Sequence, residues 1–194
     1  MSALQRTIIV LLASSIVALL YAPLLMPESY NWIVHTTSES GAQAVDGAWL
    51  ARTGFVLYGV AVLLLVMLMR RRWSSALLLV HGVFGICMIG NAVFSSKPWD
   101  KSMPFDLLED TLHSWMSGLV GTAFSLGVLM VFFRRARSEY LSKGFDVFAI
   151  LVAIAVSITM MGSLGVNGLV QRLMFFVSYL WYGKEALSPE EQRN

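Results

Sequence analysis

The sequence predicts an all-α, polytopic membrane protein built as a six-transmembrane-helix bundle, and three observations carry that prediction. The 194-residue chain is 57% hydrophobic and only 13% charged, whereas a soluble domain carries about 25% charged residues. Six apolar stretches each approach the roughly 20 residues needed to cross about 30 Å of hydrocarbon. The basic residues between them favour alternate connections.

The expected spans cover about 7–25, 53–69, 75–95, 112–133, 146–163 and 167–183. They consume most of the chain, so 1–194 reads as a single integral membrane domain with no separate soluble unit. The first stretch follows Arg6 and invites comparison with a signal peptide. It exceeds the usual h-region of about 7–15 residues, and no clear small-x-small cleavage pattern follows, so a retained helix is expected.

Orientation comes from the connections. Arg70, Arg71 and Arg72 fill one turn, Arg134, Arg135, Arg137 and Lys143 fill another, and Arg6 and Lys184 flank the ends. By the positive-inside rule these segments are cytoplasmic, giving an N-in/C-in topology. The opposite side then carries four basic residues against seven acidic ones, and the cytoplasmic side ten against five.

The first outer connection, 26–52, is the longest in the chain. Residues 39–50 are expected to form a short interfacial helix, with Trp32 and Trp49 at headgroup depth. Hydroxyl residues ahead of Glu39 resemble a capping box. The alternative is that His35, Ser38, Glu39 and their neighbours fold over the mouth of the bundle and supply polar groups to a pocket. The second outer connection, 95–111, contains Pro98 and Pro104 and leads into an acidic stretch. The third, 162–168, is expected to be a tight turn, and the polar tail 188–194 to be frayed.

Several classes are excluded. The net charge of +2 and the absence of a basic stripe with interleaved aromatics argue against nucleic acid. The single cysteine, Cys87, provides neither a disulfide framework nor a thiol metal site. No P-loop, dinucleotide fingerprint or nucleophile-elbow motif occurs. No cofactor is implied.

Polar residues inside a bilayer need a structural or functional reason. Asp106, Asp110, His113, Ser117 and Gly121 recur every three or four residues and share one helical face. The acidic residues suit a helix N-terminus on dipole grounds alone. The functional reading has Glu109 or Asp110 orienting His113, which acts as base, acid or ligand. The small residues Ser117, Gly118, Gly121 and Ser125 are expected to permit close helix packing. Asn167, Gln171, Met174 and Ser178 share a face of the last helix. Beside Gln171, Arg172 is expected to clamp the outer carboxylates Asp106, Glu109 or Asp110, since pairing lowers the cost of burial. His81 is expected to be a buried neutral histidine bonded to a backbone or serine oxygen. A zinc site from His35, His81 and His113 fails on depth, so no metal site is expected.

The segments Ser38-Glu39-Ser40-Gly41-Ala42-Gln43, Arg52-Thr53-Gly54-Phe55 and Asn167-Gly168-Leu169-Val170-Gln171-Arg172, with the acidic approach to His113, resemble a bacterial family of multi-spanning membrane proteins. That family is the domain of unknown function nine-nine-eight. The resemblance implies a six-helix bundle in a cytoplasmic (inner) membrane and carries no catalytic role. Three functions follow as expectations. The first is a non-catalytic protein that binds a small or lipidic ligand at its outer face or supports an assembly. The second is an outer-leaflet hydrolase or transferase acting on a lipid-linked substrate through His113. The third is a small transporter using His81. The lipid bilayer is the one certain partner; self-association through small-residue faces stays open.

Overall fold

In the computed structural model, which describes residues 1–162 and 165–188, six long helices follow one another along the chain. They are α1 (Ala3–Tyr21), α2 (Trp49–Met69), α3 (Ser75–Val93), α4 (Leu107–Arg134), α5 (Tyr140–Met161) and α6 (Asn167–Leu187). Each packs on its chain neighbour, and α6 returns to α1 and α2, so the helices close into a ring. One end of the bundle carries the long first loop, 26–48, and the second loop, 94–106; this is the loop end. The other carries the turns rich in arginine; this is the arginine end. There the Gln5 amide of α1 donates to the Ala186 carbonyl of α6 over 2.9 Å, which ties the ring shut.

Five helices, α1 to α5, are long and apolar enough to cross a membrane, and the chain is a multi-pass membrane protein on that measure. The sixth, α6, is 21 residues long and is not among them. It carries Asn167, Gln171 and Arg172 at one end and Lys184 and Glu185 at the other. These residues fasten both ends of the bundle, so its lower hydropathy reflects its structural work.

Several expected boundaries move. Helix α4 begins at Leu107 rather than near 112, because the Asp106 carboxylate accepts from Glu109 N over 2.9 Å and caps it there. Its 28 residues measure roughly 42 Å, longer than the hydrocarbon core. Helices α2 and α5 also start earlier, at Trp49 and Tyr140. Hydropathy marks only the apolar part of a helix, and these polar first turns extend beyond it. The expected interfacial helix over 39–50 is a three-residue 3-10 turn, Glu39–Gly41. Ala44 and Gly47 take positive φ values of 54° and 82° and break the helical path. The third turn is described only at its edges, and of the tail only Ser188 falls within the described residues.

The tightest crossing joins α2 to α3. A Cβ on Gly59 would lie 2.5 Å from the Gly85 carbonyl, so only glycine lets these backbones approach. At mid-depth an aromatic layer fills the ring: Tyr58, Phe84, Phe124, Trp181 and Tyr182 are all buried and lie edge or face against one another.

Below this layer, at the arginine end, sits a buried cluster of charges. Asp146 of α5 is 0% exposed. It accepts from Arg135 Nε at 2.5 Å and from the Trp181 indole at 2.8 Å. Glu185 of α6 accepts from Arg135 Nη2, and Lys184 Nζ lies 3.3 Å from Glu185 and 3.5 Å from Asp146. Two acids face two bases, so the cluster is neutral as a whole. Burial alone would lower the Arg135 pKa, but the carboxylates of Asp146 and Glu185 hold it above its ordinary value.

Asp146→Ala is expected to leave Arg135 and Lys184 with one buried acid, Glu185, and the Trp181 indole without its acceptor. Breaking a buried pair costs about 3–5 kcal/mol. Glu139→Ala removes an exposed partner of the same arginine, and is expected to cost about 0–1 kcal/mol. Denaturant titration of both variants in detergent measures the contrast.

Candidate functional site

The loop end is built on the first turn of α6, whose N–H groups have no partners within the helix. The first loop provides them: Gly168 N donates to Val34 O and Leu169 N to Ile33 O, each over 3.1 Å. A Cβ on residue 168 would run into the Trp32 and His35 carbonyls, so this docking needs glycine. The next turn binds the same loop with side chains. Gln171 Oε1 accepts from Thr37 N at 2.7 Å. Arg172 donates to Trp32 O at 2.6 Å, to His35 O at 3.0 Å and to the Tyr30 hydroxyl at 2.7 Å. Burial raises the Tyr30 pKa despite the neighbouring Arg172 cation, which keeps the phenol protonated to donate to Thr36 O.

This corrects the expected pairing of Arg172 with Asp106, Glu109 or Asp110. Its planar fork is occupied by carbonyls and a phenol, and among the described residues it forms no salt bridge with a carboxylate. Its partners are two backbone carbonyls and one phenol, all from the first loop. The capping box does form: Thr36 N donates to Glu39 Oε2 at 2.6 Å and Glu39 N to Thr36 Oγ1 at 3.2 Å. His35 accepts from Asn31 N and stacks on Trp99 of the second loop. Asn167 opens α6 with its Oδ1 buried.

The acidic approach to α4 holds the second loop. Glu109 accepts from Ser95 N at 2.7 Å, and Asp110 accepts from Lys97 N at 2.8 Å. Gln43 of the first loop bonds Asp106 N, Asp106 O and Ser95 O, joining the two loops to the head of α4. The expectation that Glu109 or Asp110 orients His113 is therefore corrected. His113 Nδ1 lies 2.8 Å from the Phe94 carbonyl, an acceptor only, so Nδ1 carries the proton. The other nitrogen, Nε2, is buried and has no hydrogen-bond partner among the described residues.

Beneath this roof lies a cavity of about 250 Å³. It is walled by the loop-end halves of α3, α4, α5 and α6, with Ser38 at its top and Phe55, Phe84 and Phe175 along its apolar side. Its polar lining is Ser38, Asn91, Ser117, Ser125, Ser157, Gln171 and Ser178; no ionisable side chain lines it among the described residues. The small residues of α4 are the chief surprise. Gly118 and Gly121 were expected to pack against a neighbour, yet a Cβ at either would meet nothing within 4 Å. Gly121, Ser117 and Ser125 instead line the cavity, while Gly118 faces outward.

Four of the five lining serine hydroxyls are already committed as donors. Ser125 donates to Gly121 O, Ser157 to Ala153 O and Ser178 to Phe175 O, while Ser117 donates to Asn91 Oδ1. Their remaining lone pairs are what Ser117, Ser125 and Ser157 can offer a ligand. His113 is not part of the lining, so the residues with acid–base chemistry and the residues of the cavity are separate sets.

The floor is the aromatic layer. His81 lies on its far side, fully buried between Trp73 and Trp181, flat against Gly127 and 3.0 Å from the Tyr182 hydroxyl. Burial matches the expectation, and the partner is a tyrosine rather than a backbone or serine oxygen. Among the described residues no three His, Cys, Asp or Glu side chains converge as a metal site would need. Sequence reasoning missed Asn91 and Ser157, isolated polar residues within apolar runs. It also missed Asp146, whose place at the predicted start of a span was the available signal.

Arg172→Lys and Arg172→Ala are both expected to release the first loop. A hydrogen bond to a charged group contributes about 1.5–3 kcal/mol, and an ammonium cannot reproduce the planar fork that serves three acceptors. Limited proteolysis within residues 30–38 reads this out as faster cleavage in both variants. A wild-type rate for Arg172→Lys would mean that charge alone holds the loop.

The family described as "Protein of unknown function (DUF998)" matches residues 8–185. No curated protein and no solved structure matches the chain.

Proposed function

The chain belongs to that family of unknown function, and from this premise we propose that it is a six-span, N-in/C-in protein of the cytoplasmic (inner) membrane that binds a small or lipidic ligand at its extracytoplasmic face. In this reading 1–194 form one membrane domain and α6 is the sixth span. The arginine end faces the cytoplasm and the loop end faces outward. Support for the orientation is the cationic turns at one end. Support for α6 as a span is its packing on α1, α2 and α5 and the capture of its polar ends by partners.

The observation that carries the binding reading is the neutral cavity between α3, α4, α5 and α6. It joins an apolar wall to a few convergent polar groups, the usual make-up of a ligand site. The absence of a titratable side chain from its lining among the described residues favours binding over the alternative of an outer-leaflet hydrolase or transferase, which needs an acid or base within reach of substrate. The transporter alternative needs a polar path from this cavity to His81. The buried layer of Phe84, Phe124, Trp181 and Tyr182 stands against such a path.

Gly121→Phe is expected to fill the cavity from a position where a Cβ meets no neighbour. Gly82→Phe is the control, because a Cβ at Gly82 also meets nothing within 4 Å and Gly82 does not line the cavity. Mass spectrometry of the purified proteins should find a bound lipidic or small molecule in wild type and Gly82→Phe, and its loss in Gly121→Phe. Equal retention in all three would remove the ligand site.

The topology has its own test. On a Cys87→Ser background, single cysteines replace Ser29, Ser138 or Ser188 in separate variants. A membrane-impermeant maleimide added to intact cells should label only the first; labelling at Ser188 without permeabilisation would place the end of α6 outside.

A further inference from the structure

We propose that the cavity receives the uncharged, hydroxyl-bearing head of a membrane lipid that enters sideways past the loop-end half of α5, leaving its chains in the bilayer. This rests on the reading of the cavity as a ligand site and goes beyond it in naming the class of occupant and its route.

The class follows from the hydrogen bonds of the wall. Ser117, Ser125 and Ser157 have spent their protons on Asn91 Oδ1, Gly121 O and Ala153 O. What they present is lone pairs, which a hydroxyl-bearing head satisfies by donating. A phosphate or carboxylate would bring its own lone pairs against them, with no cation in the lining among the described residues to offset the buried charge. A cationic head would find no carboxylate in the lining among the described residues. An uncharged hydroxyl meets both kinds of polar group in the wall, donating to the serine lone pairs and accepting from the side-chain amides of Asn91 and Gln171.

The route follows from what closes the other directions. Above, the first loop is pinned to α6, with Thr37 and Ser40 buried. Below, the aromatic layer is packed. Sideways the wall is thin. Helix α5 buries only Asp146, Ala149, Ala153 and Val156. Two residues in its loop-end half belong to the cavity lining and to the outer surface at once: Ser157 is exposed, and Met160 is 36% exposed. The cavity therefore meets the bilayer beside them.

The size sets how much enters. About 250 Å³ is below the roughly 300–1,000 Å³ of pockets that enclose a drug-sized molecule. A glycerol-sized head and the first carbons fit, and two acyl chains do not.

The test uses the full-length protein in phosphatidylcholine vesicles with two photoactivatable probes of identical chains, a diacylglycerol and a phosphatidic acid. Crosslinked peptides are mapped by mass spectrometry. The diacylglycerol is expected to label cavity-lining peptides of α4 and α5 about tenfold more than the phosphatidic acid, a difference of roughly 1.4 kcal/mol. Ser157→Trp, at an exposed position, should reduce that labelling several-fold with an unchanged melting temperature, and Gly82→Trp should not. Equal labelling by the two probes overturns the uncharged head. Undiminished labelling in Ser157→Trp overturns the lateral route. In either case, loss of the co-purifying molecule from Gly121→Phe leaves the ligand site itself standing. Absence of cavity labelling by both probes, with no co-purifying molecule in wild type, overturns the inference and the site together.

Discussion

The first turn of a helix exposes N–H groups that have no partner within the helix. In this protein the start of α6 meets that constraint with the backbone of the first loop, and much of the loop end depends on the solution. Val34 and Ile33 accept from the helix, and Gln171 and Arg172 return the exchange by binding Thr37 N and the carbonyls of Trp32 and His35. Helix and loop thus satisfy each other. Because the loop is held by this exchange, Ser38 sits at the top of the cavity and Gln43 reaches the second loop and the head of α4.

The two ends of the bundle handle charge in different ways. At the loop end Glu109 and Asp110 spend their charge on backbone N–H groups of the second loop. At the arginine end Asp146, Glu185, Arg135 and Lys184 neutralise one another inside the protein. Such a cluster is weak as a source of stability, since its desolvation offsets its attraction, but losing any one member is costly. Its effect is to fix the start of α5 to α4 and α6. The result is a cavity with no ionisable lining among the described residues, set between two ends crowded with charge.

Helix α5 follows from that arrangement. It is anchored by one buried carboxylate at the arginine end, and of its residues only Asp146, Ala149, Ala153 and Val156 are buried. Elsewhere in the ring, α2 and α3 are locked by the glycine crossing at Gly59 and Gly85. The ring therefore has a rigid side and a more lightly held side, and the cavity opens beside the second.

Composition and hydropathy were enough to read the membrane class, the helical architecture and the helix order. Burial in lipid forces helices wherever apolar runs are long, and that constraint is local. The Thr36–Glu39 capping box was legible for the same reason, its partners being three residues apart. The face shared by Ser117 and Gly121, and the face shared by Gln171 and Ser178, were also visible from helical spacing, and all four residues line the cavity. What the sequence could not reveal was who meets whom across helices. Arg172 beside three carboxylates in the predicted geometry is met by carbonyls in the actual one, because a backbone acceptor leaves no mark in the side-chain alphabet. Small residues on α4 promise close packing by type, yet whether the facing helix approaches or stands off is decided by how the whole ring closes. Pairings set by distance along the chain can be read from one strand of letters; pairings set by the arrangement of six helices exist only once all six are assembled.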